Sequence, residues 1–546
     1  MNISDRDVKQ SEACCCGGDD VLDKEKTTKQ KGNKIKSFLN STSNFRFVFM
    51  AVMMFDVRYL WGMAYYIVLA IMFVWALCLM VDRLIINKGI FRLRYRTIIY
   101  IFLAFGLITI ILHGERNFIA NAFTLYWISV CLFMFYGMHS EFSNIRIKKE
   151  MKRLFDFINA ITTFIMLVSL VLFAIFPNGF KLMGFEFCII EKRFVGVIPN
   201  ANVTAFYSVI AIVLCTFLLR MRKADRTLSL KLRIWYIFCI IVNSLTLILT
   251  DSNASLLFMM VYISFMFFYE LFKEFTLKKL HTILFRITAT VLSCVMVVSS
   301  MFFMRVGVQN GVAFMMNKRS VDIAVSTTLD ANNGDIDLED ESTRSSSEAR
   351  PAFGHQNKNI DSGRYVLWRQ ALGLIEIYPF FGIGKDNIKD YGNEYLGGLR
   401  YTSLAGYKYV DFHNGLLTLT VSFGIVGLSL FLVFAVTIAK AVLKSIFRFK
   451  ERSRRDGNVL VLIAAFSAAY CVYSMFEVAL FVDYTYRVFI FWLIIGLAMS
   501  YVFKYRRQAS HSSEDETPIH DDTSELNYLR KKLGFFKKRK YAADGK

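Results

Sequence analysis

The chain has 546 residues, of which 55% are hydrophobic and 16% aromatic, with 53 Phe and only 5 Pro, and its mean hydropathy is +0.41. This composition excludes a water-soluble globular or a largely disordered protein and predicts an all-α polytopic membrane protein. The net charge of +21, from 65 basic and 44 acidic residues, falls in short stretches between apolar runs and at the two ends, which speaks of topology and anionic lipid headgroups and against nucleic acid.

Residues 1–44 are polar and Lys-rich (Lys24, Lys26, Lys29, Lys31, Lys34, Lys36), and are expected to form a disordered cytoplasmic tail without a cleavable signal. The Cys14-Cys15-Cys16 run is an inert cluster or a lipidation site. The other seven cysteines lie singly in or beside apolar segments, so no disulfide framework is expected. Apolar runs follow at 60–81, 97–112, 117–138, 154–176, 203–219, 234–249, 254–272, 283–304, 414–439, 459–476 and 485–503, with a shorter one at 45–58 broken by Asp56 and Arg58. Basic clusters at 82–96, 146–153, 220–233, 273–286, 440–455 and 504–507 occupy every second loop and are therefore assigned to the cytoplasm. Placing the Lys-rich N-terminus on the same side requires 45–58 to cross. The expectation is about twelve transmembrane helices with both termini cytoplasmic.

That arrangement divides the chain into a first membrane region at 45–304, one large extracytoplasmic loop at 305–413 containing short helices, the last membrane helices at 414–503 and a basic cytoplasmic tail at 504–546. Within the large loop, residues 330–348 are acidic and of low complexity, and are expected to be a disordered insertion. Asp330, Asn332 and Glu341 approach calcium-loop spacing, but Gly334 comes one residue early for the required turn. A medium loop at 177–202 carries Arg193 before a Pro and paired Asn, with Asn202 read as a helix cap or as part of a second cationic lip. Charges within the spans are sparse: Asp156 near an inner end, Glu477 and Asp483 near an outer one.

The densest polar chemistry lies between Arg364 and Gly427. Arg364, Trp368 and Arg369 have the spacing of one helix side, Pro379 should stop that helix, and Gly382 with Gly384 should turn the chain sharply. His413 and Asn414 open the next apolar run. A histidine beside arginines at a membrane surface suits chemistry on a phosphate-bearing lipid, while an interfacial loop whose polar residues only cap helices is the alternative.

Taken together, Arg364 with Trp368, the PFFGIG segment from Pro379 to Gly384, His413-Asn414 and the following GLLTLTVSFGIVG helix resemble the O-antigen ligase and polymerase superfamily of bacterial surface-polysaccharide membrane enzymes, as does RFVGVIPNAN around Arg193. These motifs cover about a tenth of the chain, and their order extends the likeness to nearly all of it. One departure is the short outer loop TDSNAS, where Asn253 stands in the place of an arginine that relatives often carry.

The resemblance implies a glycosyltransferase of the cell (inner or plasma) membrane that moves a glycan from a polyprenyl-diphosphate donor to a glycan or lipid acceptor in O-antigen or capsule-type synthesis. It implies catalytic roles for His413 and Arg364, diphosphate binding by Arg193, Arg364 and Arg400, and support from Trp368, Asn414 and Asn202. No cofactor or metal is called for, and one-step attack would invert the anomeric centre. Membrane lipids and other polysaccharide-export proteins are candidate partners. Polymerase and ligase are not separated by the sequence. The competing classes are a polysaccharide-lipid flippase or transporter, which would place its binding groups near mid-membrane, and a glycosyltransferase with an acidic base near Asp56.

Overall fold

A computed structural model describes residues 34–54, 63–86, 93–140, 144–177, 179–182, 185–190, 193–198, 200–272, 280–331, 364–398, 411–452, 454–483 and 485–511. The long helices are α1 (Thr42–Met54), α2 (Met63–Met80), α3 (Arg96–Leu112), α4 (Phe118–Val130), α5 (Asn144–Ile175), α6 (Ala201–Ala224), α7 (Leu230–Thr250), α8 (Asn253–Phe272) and α9 (Leu280–Ala331). Two shorter helices, α10 (Arg364–Ile377) and α11 (Ile388–Leu396), precede α12 (Gly415–Arg452), α13 (Arg454–Ser474) and α14 (Tyr486–His511). The chain is thus mainly helical and polytopic, as its composition predicts.

Each of the twelve expected crossings lies on a helix. Among the described residues, nine helices are long and apolar enough to span a membrane, and Arg96–Leu112 and Val459–Ser474 are shorter apolar helices. The 13 residues of α1 extend only about 20 Å at 1.5 Å per residue, short of a hydrocarbon core of about 30 Å.

Two features differ from the sequence reading. The medium loop folds into a three-stranded antiparallel sheet, β1 (Phe180–Leu182), β2 (Phe185–Ile190) and β3 (Arg193–Gly196), with Phe180 opposite Phe187 and Ile190 opposite Arg193. The stacked Phe180 and Phe187 rings, 5.4 Å apart, supply the cross-strand contact. The helix expected to end near 304 runs on to Ala331; Gly307 and Gly311, where an added Cβ would meet nothing within 4 Å, weaken a helix without stopping it. Most of the acidic insertion, including Glu341, lies outside the described residues.

The main core is aromatic and centres on α14. Trp492 is 2% exposed and stacks on Phe481 and Phe434, while Phe489 meets Phe49 and Phe135. A smaller core lies between α10, α11 and the start of α12. Leu367, Ala371 and Leu374, at helical spacing on α10, pack with Ile383, Ile388, Phe412 and Val421. One apolar cluster therefore anchors both α10 and the residue preceding His413.

The PFFGIG segment has a structural task. Helix α12 is broken at Gly424 (φ 67°, ψ −178°), and the segment fills the break. The Ile383 and Gly384 amides donate to the Val421 and Ser422 carbonyls, both at 2.9 Å, and the Ile425 amide donates to Pro379 O at 2.7 Å. These bonds satisfy backbone groups that the kink frees. Approach this close demands glycine: a Cβ on Gly424 would stand 2.0 Å from Phe380 O, and one on Gly382 would stand 2.5 Å from Gly424 N. On its other side the loop is tied to α4 and the turn before it, with Thr124 Oγ1 donating to Asp386 at 2.7 Å and Asn117 Nδ2 to Asp390 at 2.6 Å.

Candidate functional site

Helix α12 is capped by Asn414, whose Oδ1 accepts from the Leu416 and Leu417 amides, each at 3.0 Å. One residue earlier, His413 adopts a left-handed φ of 46°, and its amide donates to Asp411 Oδ1 at 2.8 Å. A non-glycine residue held in that region is strained, and strain of this kind gathers where side-chain direction matters more than local comfort. The turn aims the imidazole at Glu477. His413 Nδ1 lies 3.6 Å from Glu477 Oε2, and Nε2 lies 3.9 Å from Asp411 Oδ1.

Glu477 occupies the non-helical stretch between α13 and α14 and is the hub of the site. Its side chain is 4% exposed. Arg364, the first residue of α10, approaches Oε1 at 3.4 Å, Arg487 Nη1 donates to Oε2 at 3.0 Å, and Asn202 Nδ2 donates to Oε1 at 3.1 Å. A carboxylate buried this deeply costs several kcal/mol unless it is paired and hydrogen-bonded. Here groups from four parts of the chain converge on it.

Asn202 extends the network. Its Oδ1 accepts from Arg193 Nη2 at 3.0 Å and from Ser252 Oγ at 3.0 Å. The helix cap predicted for Asn202 belongs instead to Asn200, whose side chain accepts from the Asn202 and Val203 amides. Arg193, at the start of β3, also donates through Nε to Thr250 O at 3.0 Å and through Nη2 to Asp251 O at 3.4 Å. The short turn between α7 and α8 is gripped from its other side by α9: Arg305 meets Asp251 Oδ1 at 2.5 Å and Asn253 Oδ1 at 2.9 Å. A guanidinium is thus present at Asn253, delivered by a different helix.

The electrostatics of the His413–Glu477 pair favour two charged groups. Burial alone would push the Glu477 pKa up, but the His413 contact and the charges of His413, Arg487 and Arg364 outweigh it and hold it at about 2. Burial likewise acts to lower the His413 pKa, and is outweighed by the Glu477 contact and the charges of Glu477 and Asp411, so that it ends above 6.5 despite Arg364.

Of the residues singled out in the sequence, Arg193, Asn202, Arg364 and His413 share one continuous network. Trp368 reaches it through Phe476, its ring 6.2 Å from that of Phe476, which the Arg364 guanidinium also faces at 5.9 Å. Asn414 serves its own helix, Arg369 is exposed, and Arg400 lies outside the described residues. Sequence reasoning gave no role to Glu477, Arg487 or Arg305. The available signal was an isolated carboxylate at the end of an apolar run, which membrane burial makes expensive without a partner.

The site therefore presents arginine forks suited to phosphate oxygens beside a histidine able to exchange a proton, at the ends of helices that cross the membrane. No curated protein matches the chain. Residues 238–432 match the O-antigen ligase family, a stretch that runs from α7 into α12 and contains Arg305, Arg364 and His413 but stops before Glu477 and Arg487. Residues 238–432 are thus a segment similar to the O-antigen ligase family, set within an integral membrane protein that carries a series of long apolar helices.

Proposed function

We propose that this protein is an inverting, metal-independent glycosyltransferase that moves a glycan from a polyprenyl diphosphate to an acceptor hydroxyl at the extracytoplasmic membrane surface, as a polymerase or ligase of surface polysaccharide. Both termini then face the cytoplasm. The observation that carries the reading is the convergence of Arg364, His413 and, through Asn202, Arg193 on one buried point.

In the step that follows from this geometry, the acceptor O–H bond breaks and its proton passes to His413. The freed oxygen pair forms a bond to the anomeric carbon as the bond from that carbon to the diphosphate oxygen breaks. The leaving electron pair stays on the diphosphate, where Arg364 and Arg193 meet the charge. Asp386 and Asp390, two carboxylates between Arg364 and His413, are engaged by Thr124 and Asn117.

The test is to supply purified wild-type and His413→Ala protein with a polyprenyl-diphosphate-linked oligosaccharide and to size the products. Longer chains on the same lipid identify a polymerase, and transfer to a second acceptor identifies a ligase. In either case the variant should lose about a hundred- to ten-thousandfold in rate. Equal movement of unchanged lipid across the bilayer by both proteins would replace this reading with a transporter.

A further inference from the structure

We infer that Glu477 is the positioning residue of this site: it fixes the His413 imidazole through Nδ1, leaving Nε2 as the nitrogen that takes the acceptor proton, and it holds Arg364 and Arg487 alongside. The orientation towards the acceptor rests on the transferase reading above. The coupling of Glu477 to His413 does not.

Several observations lead here. Glu477 sits in a non-helical stretch, so its backbone position is set by packing: its flanking residues Val478, Ala479 and Leu480 are each at most 3% exposed. The carboxylate shares its two oxygens among partners, Oε1 between Arg364 and Asn202, Oε2 between His413 and Arg487. A carboxylate facing Nδ1 at 3.6 Å acts on it as an ion pair and favours the tautomer with the proton on that nitrogen, so the lone pair sits on Nε2. When Nε2 then gains the acceptor proton, the new imidazolium already faces a buried anion, and no side chain has to move to meet the charge.

The other charged groups around the pair do not provide this. Asp411, 3.9 Å from Nε2, is 31% exposed and its Oδ1 accepts the His413 amide. Asp483 pairs with Arg487 at 3.3 Å. Tyr473 interacts with Arg487, Glu477 and Arg364. Arg364 opposes protonation of His413. Glu477 is the anion whose position matches the imidazole's buried edge.

The experiment reads His413 directly, without substrate. Purified full-length protein is treated with diethyl pyrocarbonate across a pH series, and modification of the His413 peptide is followed by mass spectrometry, since the reagent attacks neutral imidazole. The wild-type midpoint should lie above 6.5. Glu477→Gln, which keeps the shape and removes the charge, should lower that midpoint, and Glu477→Asp should fall between. In transfer assays, Glu477→Gln should reduce kcat on the order of a hundredfold and move its acid limb to lower pH, with donor KM changing far less. An unchanged His413 midpoint in Glu477→Gln overturns the inference. Asp411→Asn, at a half-buried position, gives a second route: a midpoint brought down to 6.5 or below by that change alone assigns the effect to Asp411 and equally overturns it. Wild-type protein that shows the raised midpoint but transfers nothing removes the transferase reading and leaves the Glu477–His413 coupling standing.

Discussion

Asn202 bridges Arg193 and Glu477, accepting from the arginine at 3.0 Å through Oδ1 and donating to the carboxylate at 3.1 Å through Nδ2. The amide is the one side-chain group of this size that can accept on one side and donate on the other in a fixed plane. Asn202→Asp keeps the shape and replaces the donor with an oxygen facing Glu477. Two carboxylates at hydrogen-bond distance repel, so Glu477 should turn away from its partners. Transfer activity should drop by at least about tenfold, equivalent to about 1.4 kcal/mol, with normal membrane abundance. Wild-type activity in that variant would separate Arg193 from the site.

Gly424→Ala tests how the Pro379–Gly384 segment is held. With φ 67° and ψ −178°, Gly424 occupies a backbone region that is nearly glycine-only, and a Cβ there would meet Phe380 O at 2.0 Å. Strain and collision together should cost about 3 kcal/mol. The variant should show early thermal unfolding in detergent and protease sensitivity in the Pro379–Gly384 segment. Gly427→Ala would meet the Phe423 side chain instead of backbone, with its nearest atom at 2.4 Å, and should be the milder change.

The dependence on pH follows from the His413–Glu477 pair. A base must be neutral, and the His413 pKa lies above 6.5, so kcat/KM should rise with pH through a midpoint above 6.5 and then level. Stability runs the other way for the same group: the contribution of protonated His413 is complete below about 6.5 and is lost as pH rises through its folded value. Glu477, held at about 2 against 4.5 for the free side chain, contributes fully above about 4.5 and loses its contribution as pH falls towards 2. Thermal melts of wild type and Glu477→Gln across pH 3 to 9 would show these limbs only in the wild type.

Apolar run length made most of the scaffold legible, since long apolar runs have few alternatives in a membrane. Arg364 and His413 were legible because each stands at a helix start beside a turn signal. Glu477 and Arg487 were not, because the first lies 113 positions from Arg364 and contact across that distance leaves no local pattern. Arg305 was obscured by the expected end of a helix that continues through it. The kink at Gly424 was hidden too: a glycine within an apolar run reads as a tolerated helix residue until the Phe380 carbonyl is seen against it. Strands of three, six and four residues carry too little alternation to stand out from an irregular loop.

Arg364→Lys separates charge from geometry at the site's opening. The guanidinium reaches Glu477 Oε1 at 3.4 Å while facing the Phe476 ring at 5.9 Å, and its side chain is 15% exposed. A planar fork can meet a carboxylate along one edge and offer its remaining N–H groups to phosphate oxygens. A lysine ammonium is a single point charge that must serve one or the other. Pairing with the buried Glu477 is the less avoidable demand, because an unpaired buried anion is costly. The lysine should therefore be drawn to Glu477, preserving the fold and the His413 midpoint, while the diphosphate loses a charge-assisted contact of about 1.5–3 kcal/mol. That corresponds to about a ten- to a hundredfold loss in kcat/KM for the lipid-linked donor. Protein amount should stay at the wild-type level. Arg364→Ala, which leaves Glu477 short of one cation, should in addition lower the melting temperature. Equal kcat/KM for wild type and Arg364→Lys would mean that this arginine only balances Glu477 and that the donor phosphates are held elsewhere.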